Sequence, residues 1–155
     1  MKFPFFAIAT SLFPLTAHAQ DSYLDDRSTP SAVIESLYNA INARQYLRAY
    51  NYFAPDAVAD YDNFKAGYQN TDSVTLRLGE PLAEGTAGTT YTHIPTVIRA
   101  TESDDTEQVY AGCYLVAALS PSAQDTPPFV PIRIADGTLT PTADAFETAS
   151  GHCAQ

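Results

Sequence analysis

An α+β fold in one domain follows from two features of the chain. Between residues 29 and 68 apolar side chains recur at helical spacing, and after Thr71 the spacing changes to two. Helices first and antiparallel strands afterwards, with no alternation of strand and helix, means helices packed on one face of a sheet. A length of 155 residues suits a single domain with a core large enough to need no metal.

The first stretch is set apart from that domain. Met1-Lys2 makes a short basic start, residues 3–15 form an apolar run, and Thr16-Ala17-His18-Ala19 carries the small-x-small pattern of a cleavage site. Pro4 and Pro14 interrupt the run, which is too short to anchor in a bilayer. No cysteine lies near the site to carry a lipid. The expectation is a signal peptide over residues 1–19, cleaved after Ala19, and a periplasmic or secreted protein. Residues 20–29, with Asp21, Asp25 and Asp26, read as a flexible lead-in, and residues 30–155 as the folded domain.

Thr29-Pro30 starts the first helix, with Thr29 as N-cap and Pro30 at the first helical position. Val33, Ile34, Leu37, Tyr38 and Ile41 form one apolar stripe, and Glu35, Asn39 and Asn42 fall off it. The break at Asn42-Ala43-Arg44-Gln45 is short, so a second helix, residues 46–53, turns back on the first and stops at Ala54-Pro55. A third helical segment is expected over residues 63–68. From Tyr38 to Tyr68 there are six tyrosines, with Phe53 and Phe64 among them. Such density suits a helix-to-sheet core whose hydroxyls find partners at its edge, or the lining of an apolar pocket.

The strands follow in order. Val74, Leu76 and Leu78 alternate with Thr75 and Arg77 until Gly79-Glu80-Pro81 ends the run. A loop at residues 84–88 leads into a long strand over residues 89–101, where Pro95 demands a bulge or an edge position. Ser103-Asp104-Asp105 makes a hairpin turn. In the next strand, residues 107–119, Val109, Ala111, Cys113, Leu115 and Ala117 share a face. A proline-rich connector precedes a last strand, residues 129–135, which ends at Asp136-Gly137.

Cys113 and Cys153 are the two cysteines, and in an oxidising compartment they pair most simply as one disulfide tying the tail to an inner strand. There is no Cys-x-x-Cys and no Cys/His spacing suited to zinc. Without Lys2 the chain keeps seven basic and eighteen acidic residues, a net charge of −11. That excess argues against nucleic acid and anionic membrane as partners, since both need clustered Lys and Arg.

Tyr38-Asn-Ala-Ile-Asn-Ala-Arg-Gln-Tyr46 with Ala49-Tyr50 resembles the first helix, turn and second helix of the nuclear-transport-factor-2-like (NTF2-like) superfamily. Phe64-Lys-Ala-Gly-Tyr, Asp72-Ser-Val, Gly88-Thr-Thr-Tyr-Thr-His-Ile-Pro95 and Gly112-Cys-Tyr114 resemble small exported bacterial members of uncharacterised function. The similarity runs over residues 31–134. It implies a cone in which helices fill the concave face of a curved antiparallel sheet, and two copies paired through the sheet face. The superfamily hosts dehydratases, isomerases, binders and scaffolds, so the fold alone names no reaction.

The resemblance implies that a catalytic member would place His, Asp or Tyr inside the cone. The matching candidates here are Tyr91 and His93, which alternation puts on one strand face; if that face is concave, the pair can bind or protonate a small ligand. The plainer role for His93 is a hydrogen-bonded histidine at a sheet surface, and for His152 a solvated tail residue. Asp56, Asp60 and Asp62 lack the glycine and the alternating ligands of a calcium loop. Glu102, Asp104, Asp105 and Glu107 suit a solvated hairpin tip. Gly79, Gly85 and Gly88 are followed by no Gly-Lys-Ser/Thr, and neither Gly-x-Ser-x-Gly nor His-Glu-x-x-His occurs. Arg44 and Arg48 fit best as supports for the helix ends. The expectation is a non-catalytic domain without cofactor or metal that binds a small ligand or a protein partner. The alternative is a lyase or isomerase using Tyr91 and His93.

Overall fold

The computed structural model describes residues 22–86 and 88–154; the expected signal peptide lies outside them. Helix α1, Pro30–Asn42, begins where Thr29 accepts a hydrogen bond from the Ala32 N–H at 3.1 Å. Its stripe of Val33, Ile34, Leu37, Tyr38 and Ile41 is buried, and Glu35 on the far side is exposed. Arg44, with φ at 56°, reverses the chain into α2, Tyr46–Tyr50.

Helix α2 stops short of the expected residue 53 because its continuation pairs with the sheet. The Tyr52 carbonyl accepts from Ile134 N–H at 2.9 Å, and Ala54 N–H donates to the Ile134 carbonyl at 2.8 Å. Helix α3, Tyr61–Ala66, starts ahead of the expected segment because Asp60 caps it, accepting from Asn63 N–H at 3.2 Å. Segment 22–28, expected to be a loose lead-in, lies along α1. Leu24 N–H donates to the Asn39 amide oxygen, Asp26 N–H to the Ser36 hydroxyl, and Tyr52 OH to Asp25 at 2.6 Å.

The sheet is antiparallel, in the order β1-β3-β4-β5: β1 is Thr71–Leu78, β3 Thr89–Glu102, β4 Glu107–Leu119 and β5 Arg133–Thr142. A further strand, β2 at Leu82–Thr86, pairs with the start of β3 where a loop was expected. It carries no buried alternation, and its one large apolar residue, Leu82, is 53% exposed, so no periodic signal marks it.

Pro95 causes no bulge in the β3–β4 ladder; it sits where β3 changes partners. Leu78 pairs with Thr96 and Leu82 with His93, so β1 leaves and β2 arrives across Pro95. The Pro95 carbonyl accepts from Gly79 N–H at 2.7 Å on that side, and the missing N–H points the same way, where no strand requires it.

The last strand also departs from expectation. It starts at Arg133, because Pro127, Pro128 and Pro131 keep the preceding segment out of the ladder. It then runs through Asp136-Gly137 rather than ending there. Gly137 is required within the strand because the Tyr114 ring lies over it: a Cβ there would meet the ring at 2.4 Å. The ladder shifts by one residue between Leu115 and Val116, so the strand bends around that ring.

Even-numbered residues of β3 and β4 face the helices. Ile94, Ile98, Tyr114 and Val116 join Val74, Ile134, Phe64 and the α1 stripe in one core. The odd-numbered face is crossed by the tail. The Arg77 guanidinium donates to the Phe146 and Ala149 carbonyls, and Ala149 and Val97 are both buried. Gly151 lies so close to the Thr96 backbone and the Gly112 carbonyl that a Cβ would come within 2.4 Å of both. Cys153 is then disulfide-bonded to Cys113 on β4, closing a separation of 40 residues.

Replacing both cysteines by serine frees that closure, which in the chain-entropy account stabilises by about 4 kcal/mol. Urea unfolding of the double variant should show a loss approaching that size, with the tail newly open to protease. An unchanged midpoint would mean that the disulfide adds nothing.

Candidate functional site

The helices do not fill the concave face completely. Beside α1 a cavity of about 380 Å³ remains, walled by Tyr38, Phe64, Tyr68, Val74, Ile98, Ala100, Tyr110, Tyr114 and Leu139, with Phe53, Ala57 and Val58 on its loop side. The aromatic density of the helical region therefore serves both purposes that the sequence allows. Phe64 anchors a cluster with Tyr50, Phe53 and Tyr68 at centroid distances of 5.3–5.8 Å, while Tyr38 and Tyr68 turn to the cavity.

The wall also carries Asn63, Thr71 and Glu102, and its buried polar centre is a pair of phenols. Tyr38 on α1 and Tyr114 on β4 share a buried hydrogen bond, oxygen to oxygen 2.7 Å, with their rings edge-to-face. Burial pushes the ionisation of Tyr38 well above the ordinary phenol range, reinforced by the neighbouring Tyr114 and Tyr68. Burial does the same for Tyr114, and it pushes Tyr68 up to about 12, with Tyr110 contributing. At neutral pH these phenols are protonated and act as hydrogen-bond donors, not as bases. Of the described lining residues Glu102 alone is ionic; it is part-exposed and accepts from the Thr71 hydroxyl at 3.4 Å.

Tyr91 and His93 share a strand face, as alternation requires, but the face is the outer one. Thr92 and Ile94 between and beyond them point to the core, so neither Tyr91 nor His93 enters the cavity. His93 instead lines a groove of about 740 Å³ on the outer face, together with Cys113, Leu115, Asp136 and His152. Arg44 pairs with Asp72 at 3.1 Å. Arg48 holds the lead-in, donating to the Leu24 carbonyl and, at 2.8 Å, to the Asn39 amide oxygen while stacking on Tyr23. Among the described residues, Asp56, Asp60 and Asp62 do not converge as a ligand set. Tyr110 and Tyr114 are wall residues that the apolar pattern of β4 does not single out. Their signal was the even register of β4, opposite to the odd apolar row that was easier to see.

Two outcomes test this wall. Tyr38→Phe or Tyr114→Phe leaves one buried hydroxyl without its partner, at about 1–3 kcal/mol each. The double variant should cost clearly less than the two singles together, as read from a urea double-mutant cycle. The phenols also set an alkaline limit. Unfolded tyrosines ionise near 10 and folded Tyr68 near 12, so between those values the native state holds more protons. Stability should be full below about pH 10 and fall as pH rises toward 12, with phenolate absorbance appearing together with loss of the folded circular-dichroism signal.

No protein-family profile matches the sequence, and no curated protein matches it. Among solved structures, the crystal structure of a protein from Novosphingobium aromaticivorans DSM 12444, provisionally named a scytalone dehydratase, covers 72% of this chain and 80% of its own, with a TM-score of 0.53. Sequence identity is 7%, so the likeness is one of fold. The chain shares that structure's α+β fold, the cone that the resemblance implies: N-terminal helices on the concave face of a curved antiparallel sheet.

Proposed function

We propose that this protein is an exported, non-catalytic binding domain that holds a small, neutral, largely apolar ligand in the cavity beside α1. The observation that carries this reading is the wall itself: aliphatic and aromatic side chains around protonated tyrosines, in a space of about 380 Å³, within the usual size of small-molecule sites. The Tyr38–Tyr114 pair has two hydroxyl protons and spends one on its internal bond. The other is left to donate, so the preferred ligand carries one acceptor, such as a carbonyl or ether oxygen. An anionic ligand would meet no counter-ion along the described wall, where Glu102 is the one ionic group, and would lose its hydration there.

A lyase or isomerase needs a base close to the bound substrate. His93 lies on the other side of the sheet, the phenols are protonated, and Glu102, the one carboxylate of the described wall, is part-exposed at its rim and accepts from the Thr71 hydroxyl, so the binding reading is favoured. Export rests on the N-terminal run and its Ala-x-Ala site. The disulfide accords with an oxidising compartment, and among the described residues no helix is long and apolar enough to cross a membrane. Pairing of two copies through the outer sheet face would have to use the area that the tail leaves uncovered.

The test is a thermal-shift screen of small neutral aromatic ketones, ethers and lactones against matched carboxylates. Neutral ligands at about 100 times Kd should stabilise by about 2.7 kcal/mol, and carboxylates should not. Ala100→Leu, which fills the cavity from β3, should abolish the shift without altering the fold, whereas His93→Ala should leave it unchanged. A shift lost with His93→Ala and kept with Ala100→Leu would move the ligand to the outer groove.

A further inference from the structure

The outer face carries a second chemical constellation, which does not depend on the cavity. His93, Cys113 and Cys153 each place one ligand atom within 4.8 Å of the others. Their spacing in sequence suggests no metal site; the ladder and the tail assemble it. Pro95 pairs with Cys113, so His93, two residues along β3, is the diagonal neighbour of Cys113 on the same sheet face. Gly151, wedged against Thr96 and Gly112, steers the tail so that Cys153 meets the same spot. All three side chains are part-buried, and His93 and Cys113 line the groove that opens to solvent. Both an ion and a reductant have a path to them.

We propose that this cluster is a redox-gated site for a thiophilic divalent ion such as Zn(II). In the oxidised protein the sulfurs are bonded to each other and the cluster is a staple. A dithiol reductant opens it: the Cys113–Cys153 bond breaks, two electrons and two protons pass to the sulfurs, and the reductant becomes a disulfide. The ion then binds both sulfurs as thiolates, releasing their two protons to solvent, and takes the lone pair of neutral His93. Two thiolates balance the charge of the ion, and water takes the fourth position. Tetrahedral zinc with these ligands needs donor atoms about 3.6–3.8 Å apart, which the present cluster reaches by a modest shift. The shift falls on Cys153, which lies in the irregular tail, while His93 and Cys113 are held by the β3–β4 ladder.

The experiment uses the mature chain, reduced with dithiothreitol, desalted without oxygen and titrated with Co(II), then Zn(II). Reduced protein should bind one equivalent of Co(II) with intense thiolate-to-metal absorption that Zn(II) displaces. The oxidised protein should show none. Reduced His93→Ala should bind about tenfold or more weakly, as loss of one of three protein ligands requires. The double Cys113→Ser, Cys153→Ser variant should not bind. Equal binding by oxidised and reduced protein, equal affinity in His93→Ala, or binding that survives in the double variant would overturn the proposal. So would a reduced chain that has lost its folded circular-dichroism spectrum, since the ladder that brings His93 to Cys113 would then be gone.

Discussion

The hydrogen bond between Tyr38 and Tyr114 is the contact on which the concave face depends. It joins the middle of α1 to the middle of β4, buried from solvent, at 2.7 Å. The two rings meet edge-to-face with centroids 6.4 Å apart, so the pair fills the space between helix and strand at that point. Aliphatic side chains on either side close the gap where they can: Val33, Ile34 and Leu37 share the core with Ile94, Val116 and Ile134. Where they cannot, the cavity remains. Gly137 follows from the same geometry, because the Tyr114 ring occupies the place of its side chain and bends β5 around it. Both rings of the pair line the cavity that remains beside the helix.

The two faces of the sheet are chemically different. The concave face has phenols whose burial keeps them protonated, which suits the recognition of a neutral acceptor. The outer face has imidazole, sulfur and carboxylate groups in a groove beside the tail. Pro95 separates β1 from β2 along β3, and Gly151 lets the tail lie flat on the ladder nearby. Arg77 and Arg99 flank Phe146, so the tail is seated by its own contacts as well as by sulfur.

What the sequence reveals tracks how local each cause is. The α1 stripe, its Thr29 cap and the Ser103–Asp105 turn depend on neighbours a few residues away and were legible. The cysteine pair was legible because two cysteines have one simple partner choice. Strand β2 was not, because an edge strand without a buried face has no alternation to read. The continuation of β5 past Asp136-Gly137 was not, because the glycine answers to a ring on another strand. Alternation correctly grouped Tyr91 with His93 but carries no information on which face meets the helices; that depends on the whole register. The His93–Cys113–Cys153 cluster was hidden for the same reason, since it arises from a diagonal across a ladder and a tail crossing.

The central claim is that ligand meets this protein at the tyrosine wall inside the cone. The most direct measurement is nuclear magnetic resonance of the oxidised protein over residues 20–155 with labelled tyrosine rings and histidine imidazoles, titrated with a neutral aromatic ketone found to bind. The account predicts saturable shifts at the rings of Tyr38, Tyr68, Tyr110 and Tyr114, with His93 and His152 unmoved. Shifts at His93 and His152 with the four tyrosine rings unmoved would contradict it.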